Sequence, residues 1–174
     1  FIRPSLVSLC PYLVSIYYLR HYIWGFMYFS REQVVFQEVP GEVYLAYTIS
    51  GCPLRCPGCH SADTWPAMAG ESLSEEYFRQ RLETYAGLIS CVLFMGGEWH
   101  EAQLLLLLKL ARRQGLNTCL YTGLDTVAPR LQAELTYLKT GPWLRDLGGL
   151  ESPLTNQRFM DLRSNRCLNH KFHQ

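Results

Sequence analysis

A strong charge of either sign is missing from this sequence: sixteen Lys and Arg stand against fifteen Asp and Glu, a formal net charge of +1. No local basic patch makes up for it, so nucleic acid is excluded as the main partner. Repeats and low-complexity tracts are absent too, and 48% hydrophobic with 18% charged residues describes a folded globular chain rather than a disordered one. The 174 residues allow one domain with a real core, not two comfortable ones. Also lacking is an apolar run of the roughly 20 residues that a membrane-spanning helix needs. Residues 5–19 come nearest, but Pro11 interrupts them, Arg20 and His21 end them, and no small-residue cleavage site follows as a signal peptide would require. Residues 1–26 read as an apolar extension outside the functional domain, with Met27 a more conventional start than Phe1. The functional domain is then 27–174, and no membrane association is expected.

Cysteine, by contrast, is plentiful. There are seven, an odd number, and Cys10, Cys91, Cys119 and Cys167 are scattered singly. Cys91 and Cys119 lie in apolar runs, where cysteine serves as a small hydrophobe. This pattern suits a reducing compartment, hence a cytoplasmic location, better than a disulfide framework.

The alternation of elements points to an α/β fold. "EVYLAYTIS" (42–50) has the β-branched and aromatic content of a strand after the turn "VPG". "SLSEEYFRQRLETYAG" reads as a helix, with Ser72 and Glu75 as a capping box, Leu73, Tyr77, Leu82 and Tyr85 on one face, and Gly87 as its stop. "LISCVLFM" (88–95) is a strand buried on both sides. A helix over 100–114, a strand in "LNTCLYTG", a weaker helix carrying Pro129 and a short strand in "TYLKTG" follow. The tail reads as a hairpin turning at Ser164 and Asn165. Such alternation builds a mostly parallel sheet with flanking helices, whose ligand sites gather where the strands end.

Two motifs fall at such ends. In "SGCPLRCPGCHSADTW" Cys52, Cys56 and Cys59 are spaced Cys-x3-Cys-x2-Cys, with Pro53, Pro57 and Gly58 bending the loop so that the sulfurs converge. Thiolates bind zinc or iron-sulfur clusters, and both usually take four protein ligands. Three leave a coordination position open for a substrate or cofactor. The competing reading is a closed zinc site completed by His60, Cys91, Cys119 or Cys167, which would make the chain a non-catalytic zinc-binding interaction module. Three unrelated structural cysteines fit poorly in a loop with no core to bury them. The second motif, Gly96-Gly97-Glu98 after Met95, lets a ligand approach the backbone closely, although a Gly-Gly pair after a strand also serves as a plain tight turn. Tyr121 and Thr122, at the end of the next strand, either line the cavity or belong to the core.

"CPLRCPGCH" resembles the cluster motif of the radical S-adenosylmethionine superfamily. The resemblance implies that Cys52, Cys56 and Cys59 hold a 4Fe-4S cluster with one iron left for the amino and carboxylate groups of S-adenosylmethionine. "GGE" is similar to the superfamily motif that contacts the methionine amino group, which adds Gly96, Gly97 and Glu98; Trp99 stands where many members have proline. Gly58, Cys59 and His60 are implied as cofactor-binding, His60 through its backbone against the adenine and without an acid-base role. The implied fold is a compact partial (βα) barrel. From Met27 to His173 the chain resembles the activating proteins of anaerobic ribonucleoside-triphosphate reductase, in "VVFQEVPGEVYLAYTIS" and in "LKTGPWLRDLGGLESPLTNQRFMDL" as well as in the two motifs. Such proteins generate a 5'-deoxyadenosyl radical that takes a hydrogen from a glycine of the reductase large subunit. The implied partners are that large subunit and a one-electron donor such as a flavodoxin. An activase of another glycyl radical enzyme, of the pyruvate formate-lyase type, is the nearest alternative. Asn156, Gln157 and Arg158 either face the partner or form a turn after Pro153.

Overall fold

The computed structural model describes residues 26–173, so the expectation for the extension falls, apart from Phe26, outside the described residues. Among the described residues eight strands form one sheet in the order β3-β1-β2-β4-β5-β6-β7-β8. They are β1 (Tyr28–Val35), β2 (Tyr44–Ile49), β3 (Glu71–Ser72), β4 (Cys91–Met95), β5 (Asn117–Tyr121), β6 (Tyr137–Thr140), β7 (Arg158–Asp161) and β8 (Arg166–Cys167). The middle four, β2, β4, β5 and β6, are mutually parallel, whereas β1 and β3 on one side and β7 and β8 on the other add antiparallel. The sheet is therefore mixed, with its parallel part confined to the centre.

Three helices connect the central strands: α1 (Glu75–Thr84), α2 (Glu101–Arg113) and the single turn α3 (Pro129–Gln132). Their apolar residues, Phe78 and Leu82 of α1, Leu104, Leu107 and Leu108 of α2 and Leu131 of α3, pack with Leu45, Tyr47, Ile49, Val92, Phe94, Leu120 and Leu138 of the sheet. All three helices thus cover one face. Alternate residues of the same strands, Tyr44, Ala46, Cys91, Leu93, Cys119, Tyr137 and Phe159, point to the other face, where only Val39, Leu150, Leu168 and Phe172 from loops and tail meet them. Each fully buried large side chain contributes about 1.5–3 kcal/mol, and the helix face holds more of them.

Two local expectations change. The cap of α1 is Ser74, whose Oγ accepts from the Tyr77 N–H at 3.0 Å, because Ser72 is taken up by β3 against β1. With Tyr77 at the third helical position the reciprocal capping box does not form. The second change is β1, a strand that its polar "SREQ" centre conceals. Its Glu32 accepts from Arg81 Nε at 2.7 Å and from the Tyr77 hydroxyl at 2.9 Å, so the charge is satisfied by α1. The tail does form the expected hairpin, with Met160 opposite Cys167 and Asn165 at a φ of 53° in the turn.

Candidate functional site

Parallel pairing aligns the carboxyl ends of the central strands. Thr48 lies opposite Met95, Met95 opposite Tyr121 and Tyr121 opposite Lys139, a row across the sheet just below the loops that carry the motifs. The cysteine loop leaves β2 at this level and is fastened at its base. Gly51 N–H donates to the Thr64 carbonyl at 2.7 Å, and Ser50 Oγ to the Ala69 carbonyl at 2.7 Å. Within it a turn closes from Cys59 N–H to the Cys56 carbonyl at 3.1 Å, and the Cys59 sulfur accepts the Ser61 N–H at 3.4 Å. Arg55 sits at a φ of 45°, left-handed backbone that costs a non-glycine residue on the order of 1 kcal/mol.

All three thiols are free and partly buried. Burial pushes the Cys52 thiol up, with smaller contributions from the Glu98 and Cys56 charges. Lys139, nearly buried on β6, is pushed down to about 8 by burial, against the opposing pull of Cys56, Cys59 and Glu98. The three thiols, the carboxylate and the ammonium therefore share one electrostatic neighbourhood. Lys139 Nζ donates to the Gly141 carbonyl at 3.0 Å, which turns its charge toward the strand ends.

Gly96 and Gly97 have φ of 86° and 104°, and Gly97 starts a 3-10 turn over Glu98–His100. A Cβ on Gly96 would lie 2.5 Å from the Trp99 ring, and one on Gly97 would lie 3.3 Å from Ile49. The missing side chains therefore serve the left-handed backbone at both positions and, at Gly96, the seating of Trp99. Glu98 is what the turn delivers. Its Oε1 accepts from Thr122 Oγ1 at 2.5 Å, its Oε2 is buried with no partner, and burial pushes its carboxyl up.

Beyond Cys59 a cavity of about 540 Å³ is lined by His60, Tyr121, Lys139, Trp143, Glu38 and Phe172, among others. The exposed His60 ring packs at 4.4 Å on Trp143, and Tyr121 donates its hydroxyl to the Glu38 carbonyl. Tyr121 thus lines the cavity, and Thr122 orients Glu98. Gly58 is exposed on the loop with the Arg145 guanidinium against it. Asn156 and Gln157 turn inward instead of outward: Asn156 Nδ2 donates to the Pro142 carbonyl at 3.0 Å, Gln157 is buried, and only Arg158 is exposed. The residues composition and spacing did not single out are Lys139, Trp143 and Glu38. A lysine inside the otherwise apolar "TYLKTG" strand was the available signal for the first.

Among the described residues no group of three or more His, Cys, Asp or Glu is placed to hold a single metal ion. Cys91 and Cys119 are buried in the loop-face core and Cys167 lies on β8, so none of them joins the cysteine loop.

The family of the 4Fe-4S single cluster domain matches residues 39–139, and the chain belongs to it. Two curated relatives agree. The pyruvate formate-lyase-activating enzyme of Clostridium pasteurianum is 35% identical over 100 residues, 54% of this chain and 42% of its own length. The 7-carboxy-7-deazaguanine synthase of Hyperthermus butylicus is 30% identical over 118 residues, 64% of this chain and 45% of its own. The matches thus span less than half the length of either relative. Together they make this chain a radical S-adenosylmethionine protein whose cofactors are a 4Fe-4S cluster and S-adenosylmethionine. The donors suit both. Three free thiols on one loop match the donor type of a 4Fe-4S cluster, Lys139 lies in their electrostatic neighbourhood, and the orphaned Glu98 oxygen suits an ammonium group. No helix of the described residues is long and apolar enough to cross a membrane.

Proposed function

We propose that the chain is an activase that installs a glycyl radical on a partner enzyme, with anaerobic ribonucleoside-triphosphate reductase as its target. One observation carries the reading: three free thiols, Lys139 and the unpartnered Glu98 oxygen lie together at the carboxyl ends of the parallel strands, beside a cavity open beyond Cys59. Cys52, Cys56 and Cys59 would hold the cluster. When bound, the cluster and S-adenosylmethionine supply one-electron reductive cleavage and hydrogen-atom abstraction. Glu98 accepts the methionine ammonium on Oε2 while Thr122 fixes its other oxygen, and the backbone of Gly58, Gly96, Gly97 and His60 lines the cofactor. Lys139 balances the thiolates and Glu98. Tyr121, Trp143 and Phe172 give the neighbouring cavity an aromatic wall.

In the same reading, residues 27–174 are the activase domain, the sheet is the open partial barrel of the superfamily, and the protein works in the cytoplasm with an electron donor of the flavodoxin kind. Pyruvate formate-lyase is the second candidate target, favoured by the 35% identical relative. The test is anaerobic incubation with each candidate enzyme, reductant and S-adenosylmethionine, read by electron paramagnetic resonance. A glycyl radical doublet on the reductase supports the proposal; a doublet on pyruvate formate-lyase alone selects the second target; no radical on either, with the cofactor being cleaved, refutes activase function.

A further inference from the structure

Glu38 lines the 540 Å³ cavity and also a second cavity of about 140 Å³, formed with Arg31, Gln33, Thr48 and Met95, so it stands between the two. The Glu38 backbone is pinned at this junction from both ends, its N–H donating to the Tyr44 hydroxyl at 2.6 Å and its carbonyl accepting from Tyr121. Its side chain, however, leaves Oε2 buried with no partner. Across the larger cavity Trp143, its ring fixed against His60, leaves Nε1 buried with no partner as well. A buried polar atom left unpaired costs about 1–3 kcal/mol, and native proteins keep few of them. Here one is an acceptor and the other a donor, and the two residues line the same cavity.

We infer that Glu38 and Trp143 form a peptide-reading subsite: Glu38 accepts one N–H, and Trp143 donates to one carbonyl, of the segment that carries the reacting glycine. A secondary amide offers one donor and one acceptor, which is the complement of this pair. An extended peptide carries a donor and an acceptor at nearly every residue, so one segment can meet both groups. The subsite rests on the activase reading above and gives that reading its means of positioning the partner, because a reacting atom must be held within a few tenths of an ångström of its productive place.

The test uses the full chain, anaerobically reconstituted and loaded with S-adenosylmethionine, and fluorescein-labelled decapeptides copying the radical-bearing glycine segments of a candidate reductase and of pyruvate formate-lyase. Anisotropy titration gives Kd. Glu38→Gln is expected to raise Kd about tenfold and Trp143→Phe about three- to tenfold, as expected for weakening or removing one hydrogen bond, with iron per chain unchanged in Glu38→Gln. A series of peptides N-methylated at one bond at a time needs no variant: one member should bind the unaltered protein about tenfold more weakly, yet lose nothing further with Glu38→Ala. Unchanged peptide affinity in both variants, or an N-methyl series without a sensitive bond, overturns the subsite and leaves the activase reading standing. Failure of the unaltered protein to bind either peptide while it cleaves S-adenosylmethionine overturns both.

Discussion

The two faces of the sheet are built from alternate residues of the same strands and come out different. On the helix face Leu45, Tyr47, Ile49, Val92 and Phe94 meet α1 and α2 in a closed apolar layer, where Phe94 and Phe78 pack ring to ring at 5.9 Å. On the loop face the layer at the bottom is apolar, Tyr44, Leu93, Cys119 and Phe159, but at the strand ends it gives way to Lys139, Tyr121 and the unpaired oxygen of Glu38. One face supplies stability, and the other gives some of it up to bury an ammonium group and a carboxylate oxygen that has no partner. A protein with no ligand to receive would have no use for such an arrangement.

Substitutions can break this contrast, and the largest expected effect is at the thiols. Cys56→Ala should lose the cluster altogether: colorimetric iron after anaerobic reconstitution falls from about four per chain to near zero while the far-ultraviolet circular dichroism stays the same. Retained iron would remove Cys56 from the ligand set. On the helix face Phe78→Ala should lower unfolding free energy by about 3–5 kcal/mol in urea titration, since it empties a fully buried ring site, yet leave iron per folded chain untouched. An equal loss of iron and stability would mean that the two faces are not separable.

Lys139 sharpens the comparison with the opposite sign. In the metal-free chain its proton affinity is lower folded than unfolded, 10.5 reduced to about 8, so folding is favoured above pH 10.5, loses ground between 10.5 and about 8, and carries the full penalty below. At about 1.4 kcal/mol per unit this is on the order of 3 kcal/mol. Lys139→Met should therefore stabilise the metal-free protein near pH 7 and lose most of that advantage by about pH 10; a difference independent of pH would show that the ammonium is not desolvated. The smallest effect concerns the cap of α1, where Ser74→Ala should cost about 1 kcal/mol and Ser72→Ala much less. The reverse ranking would return the cap to Ser72.

Much of this was legible before any coordinates. The central strands announced themselves as apolar or β-branched runs, and the Cys-x3-Cys-x2-Cys spacing and Gly96-Gly97-Glu98 stood out at their ends because turns rich in Pro and Gly have few other reasons to carry three thiols. Strand β1 was hidden, since Arg31, Glu32 and Gln33 obey no apolar alternation, and the side-chain partners of Glu32 and Arg31, namely Arg81, Tyr77 and Asp63, come from distant segments. The same holds for Glu38 and Trp143, which meet only when the 37–44 turn and the 143–151 loop fold over one face. The packing of Trp99 against Gly96 was equally hidden, because a side chain three residues away decides it. Periodicity reports which side of a strand is buried, but not whether a helix, a loop or a cofactor covers it.

The most direct test of the central claim is Mössbauer spectroscopy of the iron-57-reconstituted protein before and after S-adenosylmethionine is added. The account predicts a 4Fe-4S cluster in which one iron of the four, the one without a cysteine, changes its isomer shift when the cofactor binds. Four irons that all remain unchanged, or a chain that takes up zinc and no iron, would contradict it.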